Sequence, residues 1–233
     1  GRCPHTCSIR ACAVHAPIKP SAWNDPSGGH TEGVRFEHGR PITPNRPELI
    51  LIRHGETEWS ASGQHTGRTD LPLTEQGREE ARSIAAAVAD IDFTSAFSSP
   101  LQRAWETAGL VGLTPTADDS LLEWDYGDYE GITTAETRVT IPGWSVWTHD
   151  ILNGESIDEV GQRADAAIDR YTKLSGPIAV VAHGHFLRIF AARWLSLPAQ
   201  EGRRFVLNTS TLSLLGWERE NRVIKRWNDP CGW

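Results

Sequence analysis

Short apolar runs alternating with amphipathic segments constrain this chain more than any other feature. Leu49-Ile50-Leu51-Ile52 is a continuous apolar run of the kind buried on both faces in a parallel strand, and Pro177 to Ala182 is another. Between them, Thr74 precedes Ala81, Ile84, Ala85 and Val88 at helical spacing, and a further strand is expected near Phe93 to Phe97. Ser99 and Pro100 read as the N-cap and first residue of a helix with Leu101, Ala104, Trp105 and Ala108 on one side. Ser156 and Glu159 form a capping-box pattern ahead of a stripe of Ile157, Val160, Ala164, Ala167, Ile168 and Tyr171. A helix apolar on most sides runs from Phe186 to Leu195, and strands near Thr211 to Trp217 and Arg222 to Trp227 close the chain. Strands alternating with helices predict an α/β layered domain with a mostly parallel central sheet flanked by helices. Function is then expected at the carboxyl ends of the strands.

The pattern begins near residue 47, so 47–233 is read as one domain and 1–46 as a poorly ordered N-terminal extension. Cys3, Cys7, Cys12 and Cys231 all lie at the two ends, which argues against a disulfide framework in the core. Cys3, Cys7 and Cys12 with His5 and His15 lack the paired spacing of common zinc modules. A formal charge of -7 argues against a surface built for nucleic acid. No apolar run approaches the roughly 20 residues that a bilayer requires. No secretory h-region is read in the first forty residues, and the cytoplasm is the expected location.

Two strands end in similar tripeptides, Arg53-His54-Gly55 and His183-Gly184-His185, which puts both histidines where open α/β sheets bind ligands. A glycine beside each histidine allows a ligand's oxygens to approach the backbone. A phosphate dianion repels nucleophiles until cationic donors hold its oxygens. Arg53 adjoins His54, and Arg103 falls in the first turn of a helix, where backbone N–H groups also favour anions. A leaving alkoxide needs a proton, and Glu123 is the leading candidate, with Trp124 and Tyr126 placed to keep water away and raise its pKa. Asp125 and Glu130 compete with it on spacing alone; Glu56, in the loop of His54 itself, is a weaker choice.

Taken together, Leu51-Ile52-Arg53-His54-Gly55-Glu56-Thr57, Ser98-Ser99-Pro100-Leu101-Gln102-Arg103-Ala104-Trp105-Glu106-Thr107-Ala108, Glu123 before the Gly127 to Gly131 turn, and Ala182-His183-Gly184-His185 resemble the histidine phosphatase superfamily. The resemblance covers roughly residues 47 to 233 and implies the three-layer phosphoglycerate mutase-like fold. It implies that His54 is the phosphorylated nucleophile, that Arg53, Arg103 and His183 bind the phosphoryl group, and that Glu123 is the general acid and base. No metal or cofactor is implied. Thr66-Gly67 resembles the family's substrate-contacting loop, while Ser60 stands where asparagine is common, which puts one phosphate contact in doubt. Gly55, Ser60, Thr66, Gly67, Trp124, Tyr126, Gly184 and His185 are the expected substrate contacts, and His65 is a further candidate for the second half of the pocket.

The family's mutases resemble one another in an Arg-His-Tyr-Gly segment and a later Asn-Lys after the catalytic glutamate. Here the stretch reads Trp124-Asp125-Tyr126-Gly127, followed by Gly131-Ile132-Thr133-Thr134, and sixty residues between Glu123 and His183 leave little room for a lid. Hydrolysis is therefore expected over transfer. The nearest resemblance is to bacterial broad-specificity acid phosphatases and fungal sugar-bisphosphatases, including sedoheptulose-1,7-bisphosphatase. The expected partner is a small phosphorylated metabolite, a sugar phosphate foremost, with neither nucleic acid nor membrane; a homodimer is left open.

Overall fold

The computed structural model describes residues 36, 37, 40, 41 and 46–230. Within the expected extension, β1 (Phe36–Glu37) and β2 (Arg40–Pro41) pair antiparallel. Strands of two residues are too short for periodicity to announce. The rest of that extension, with Cys3, Cys7 and Cys12, lies outside the described residues, as does Cys231.

From residue 46 onward the elements are β3 (Glu48–Arg53), α1 (Glu58–Ser62), α2 (Glu75–Ser83), α3 (Ala85–Ala89), β4 (Ser95–Ser98), α4 (Gln102–Leu110), β5 (Thr116–Ala117), α5 (Thr134–Thr140), α6 (Ile157–Tyr171), β6 (Pro177–Ala182), α7 (Gly184–Trp194), β7 (Leu212–Glu218) and β8 (Asn221–Asp229). They build a six-stranded sheet in the order β5-β4-β6-β3-β7-β8. β5, β4, β6 and β3 pair in parallel, and β7 and β8 continue the sheet antiparallel. The mostly parallel sheet expected from the alternating pattern is present.

Alternation along β3 sets the layers. Leu49 and Leu51 join a cluster with Val160, Ala164 and Ile168 of α6 and Phe186 and Phe190 of α7. Ile50 and Ile52 point the other way, into a cluster with Ile84, Val88 of α3, and Ala104 and Ala108 of α4. A strand buried on both faces needs apolar residues at every position, which is why it reads as an unbroken run. The capping box at Ser156 and Glu159 is formed, and β6 has the bounds that its apolar run suggests.

Two helix readings are corrected. The segment after Thr74 is two helices, because the chain turns at Ile84, whose side chain is fully buried in the sheet-facing cluster. The helix after β4 starts at Gln102, capped by Leu101, rather than at Pro100. Ser99 is drawn to another partner, His183 Nε2 at 2.7 Å, and the amide of Gln102 donates instead to Asp70 Oδ1 at 2.8 Å. A carboxylate at that position favours the helix start and ties the 64–70 loop to α4.

Candidate active site

β3 and β6 lie in parallel register with Arg53 opposite Ala182, so His54 and His183 emerge side by side at the sheet's carboxyl edge. Their rings meet edge to face, with centroids 5.1 Å apart. His54 Nδ1 lies 2.7 Å from the carbonyl of Gly55. A carbonyl can only accept, so Nδ1 carries the proton. Burial, reinforced by the charges of Arg103 and Arg53, holds the pKa of this imidazole well below its ordinary value. His54 is therefore neutral, with its lone pair on Nε2.

His183 is held from both sides: Nδ1 accepts from Arg103 Nε at 3.2 Å, which leaves Nε2–H to donate to Ser99 Oγ. Its pKa is likewise well below the ordinary value, by burial and then by the charge of Arg103. The Arg103 guanidinium is fully buried and donates to the carbonyls of Thr66, Gly67 and Thr69 as well. Arg103 thus stands behind the two histidines and clamps the 66–69 loop. At the start of α4 the Gln102 amide is taken by Asp70, and those of Ala104 and Trp105 by Leu101 O.

A cavity of about 230 Å³ opens over these strand ends. Of the expected catalytic residues, Arg53, His54 and Glu123 line it, and Arg103 and His183 lie behind its wall. Arg53 Nη1 donates to Leu207 O at 2.5 Å, while its Nε is buried with no hydrogen-bond partner. Gly184 makes room for it, since a Cβ there would stand 3.2 Å from that Nε. Both carboxylate oxygens of Glu123 are fixed: Oε1 accepts from the amides of Trp124 and Phe186, and Oε2 from that of His185. The acid is thereby moored at the N-terminus of α7. Its rivals have other work. Asp125 Oδ1 accepts from Gly127 N, Glu130 Oε1 from Gly67 N and Thr69 N, and Glu56 Oε1 from Thr74 Oγ1.

Among the expected substrate contacts, Ser60, Thr66, Tyr126, Gly184 and His185 line the cavity, and so does His65. Gly55, Gly67 and Trp124 do not. A Cβ on Gly55 would lie 2.3 Å from Gly77 O, so this glycine serves close backbone packing rather than access for a ligand. Gly67 is similarly closed, 2.4 Å from Trp124 O. Trp124 is fully buried, with Nε1 on Glu155 O. Ser60 caps α1 reciprocally with Thr57. The Tyr126 hydroxyl, whose pKa is raised well above the ordinary value by burial and by Glu123, is hydrogen-bonded with His185 Nδ1 at 2.5 Å. His65 Nδ1 donates to Ile132 O at 2.6 Å. Burial lowers the pKa of both histidines.

Three contributors escaped the sequence reading. Arg163 holds the catalytic turn, donating to Ser120 O, Leu122 O and Glu123 O while paired with Glu155 at 2.7 Å. Leu207 supplies a carbonyl from far along the chain. Arg188 lines the cavity one helical turn beyond Gly184, and its i, i+4 spacing was the available signal. A larger cavity of about 730 Å³, between residues 146–151 and α6, contains none of the strand-end groups, so volume alone does not locate the chemistry.

The Gly55–Gly77 contact yields a test. A Cβ on Gly77 would sit 2.2 Å from Glu56 O. Gly77→Ala gains about 1 kcal/mol of helix propensity against an overpacking cost of about 1–3 kcal/mol. We expect a lower melting temperature together with a lower kcat, because the strain falls on the loop carrying His54. Unchanged values of both would show that the loop yields freely.

Comparison with known proteins places these observations. A family model described as the histidine phosphatase superfamily, branch 1, matches residues 49–230. An acid phosphatase of Mycobacterium tuberculosis is 42% identical over 181 residues, spanning 76% of this chain and 89% of its own. A sedoheptulose 1,7-bisphosphatase of Saccharomyces cerevisiae is 37% identical over 190 residues, spanning 66% and 70%. Among solved structures, the product of an open reading frame of M. tuberculosis superposes with a TM-score of 0.74 at 39% identity, covering 78% of this chain and 97% of that one. No helix among the described residues is long and apolar enough to cross a membrane.

Proposed function

The chain belongs to the histidine phosphatase superfamily, and from that membership we propose that it hydrolyses phosphate monoesters of small metabolites, sugar phosphates foremost, through a phosphohistidine on His54. One observation carries the reading: a neutral imidazole with its lone pair on Nε2 shares a cavity with a buried, unpartnered Arg53 Nε and with an anchored carboxylate at Glu123. Nε2 attacks phosphorus, the ester P–O bond breaks, and the leaving oxygen takes the proton of Glu123 in its protonated form, which is left as a carboxylate. Glu123 then removes a proton from water, which attacks the phosphohistidine, frees inorganic phosphate and restores His54. Arg53 draws charge from the phosphoryl oxygens. Arg103 and His183 act from behind, keeping His54 neutral and oriented. The names of the two relatives, an acid phosphatase and a sugar bisphosphatase, support the substrate class.

The test is phosphate release from 4-nitrophenyl phosphate and from a panel of sugar phosphates. Turnover with both is expected. With 3-phosphoglycerate and a bisphosphoglycerate primer, phosphate release should exceed isomer formation; the reverse would make the protein a mutase. Failure to release phosphate from any of these would mark a scaffold that has kept the fold without the chemistry.

A further inference from the structure

We propose that His65 accepts a hydrogen bond from a hydroxyl of the substrate's leaving group, so that the cavity selects phosphate esters of polyols over esters of similar size that lack the hydroxyl. The proposal rests on the phosphatase reading above and specifies the leaving group. His54 and His65 line one cavity of about 230 Å³, so a small ester held at His54 shares that space with the ring of His65.

What this ring presents is an acceptor. His65 Nδ1 lies 2.6 Å from the carbonyl of Ile132, and since a carbonyl only accepts, Nδ1 carries the proton. Burial outweighs the Ile132 carbonyl, Glu123 and Glu130, all of which favour the charged form, and the pKa stays below its ordinary value. The ring is thus neutral at neutral pH, with a lone pair on Nε2. No described residue donates to Nε2, and the atom is not sealed inside the protein. On a ring that lines the cavity, it is open to the ligand.

The direction of that lone pair is fixed. The ring centroids of Tyr126 and Trp144 lie 5.0 and 5.4 Å from that of His65. The backbone is pinned as well, because His65 N donates to Ile132 O at 3.1 Å and Gly131 N donates to His65 O at 2.9 Å. A preorganised acceptor loses little freedom when it binds. A lone pair repels the oxygens of a phosphate or a carboxylate and pairs only with a donor, and the donors that a sugar phosphate brings are its hydroxyls. An ester without the hydroxyl would cover Nε2 and leave it unpaired, which is the costly case. The two histidines therefore divide the substrate: the lone pair of His54 is directed to phosphorus and that of His65 to the alcohol.

Two matched pairs test this: ribose 5-phosphate against 2-deoxyribose 5-phosphate, and glycerol 3-phosphate against propyl phosphate, each with the wild type, His65→Phe and His65→Gln. In the wild type, kcat/KM for the hydroxylated member of at least one pair should exceed that of its partner by about fivefold or more. His65→Phe keeps a ring but removes the lone pair, and Ile132 O retains the backbone amide at position 65 as donor. It should lower the ratio by about threefold or more, and His65→Gln, which carries an acceptor oxygen, should recover part of it. Differences in leaving-group basicity are common to all three proteins and cancel between them. Wild-type ratios below about fivefold for both pairs overturn the proposal, as does a ratio that His65→Phe lowers by less than about threefold, or a His65→Gln ratio no higher than that of His65→Phe. Should the variants not fold, the nitrogen-15 resonance of His65 Nε2 decides, recorded in His54→Ala with each ester at saturation. It should move toward the position of a protonated ring nitrogen with the hydroxylated member alone; an equal response to both members overturns the proposal. Turnover of 4-nitrophenyl phosphate without these ratios defeats this inference alone. Absence of all turnover in the wild type defeats the phosphatase reading and this one with it.

Discussion

Replacing His54 with alanine is expected to lower phosphate release by about four orders of magnitude or more, because loss of the nucleophile removes the covalent route altogether. The fold should survive. The ring makes one hydrogen bond, to the carbonyl of its own neighbour, and an edge contact with His183. A melting curve close to that of the wild type therefore accompanies the loss. After rapid acid-free quenching during turnover, a fraction of the wild-type chains should carry an acid-labile, base-stable phosphoryl group, and the variant none. The protonation state is also testable. Burial and the charges of Arg103 and Arg53 hold the pKa of His54 well below its ordinary value. The folded protein therefore keeps this ring neutral as pH falls through 6.5, where an exposed histidine takes up its proton. Its Cε1–H resonance should stay flat across that range. Wild-type turnover surviving in the alanine variant, or a titration of His54 centred near 6.5, would remove the imidazole from the role assigned to it.

The strands and the two strand-end histidines were legible because they are written locally. Leu49 to Ile52 and Pro177 to Ala182 are continuous apolar runs, and each leads straight into its histidine. What could not be read is which distant group occupies a given space. Gly55 suggested access for a ligand, yet the space over it is filled by Gly77. Arg103 suggested a phosphate donor, yet its N–H groups are drawn to three carbonyls of the 66–69 loop. Ser99 suggested a cap, yet it faces a histidine 84 residues away. In each case local propensity was outweighed by a partner supplied through tertiary packing, where a buried donor left alone would be costly. The carboxylates show the same rule in reverse. Glu123, Asp125 and Glu130 are alike in spacing, and it is their hydrogen-bond partners and the place of Glu123 on the cavity wall that separate them.

Glu123→Gln is expected to have the second-largest effect, and its size should depend on the leaving group. A sugar alkoxide must be protonated as it departs, so kcat with sugar phosphates should fall about 10²- to 10⁴-fold. A 4-nitrophenolate leaves unaided, so His54 should still be phosphorylated from the aryl ester. Water then lacks its base, and the phosphohistidine should accumulate. The expected trace is a burst of about one nitrophenolate per chain followed by slow turnover, which the wild type does not show. The amide is also a poor replacement sterically neutral only in outline: Oε1 and Oε2 accept from three amides, of Trp124, Phe186 and His185, and an NH₂ group would face one of them donor to donor. Leaving that N–H unpaired at the start of α7 costs about 1–3 kcal/mol, visible as a lower melting temperature. The burst separates the chemical loss from the structural one, because a merely loosened site would slow phosphorylation and hydrolysis together. Equal losses with aryl and sugar esters, and no burst, would take the proton-transfer role away from Glu123 and leave it as the anchor of the helix.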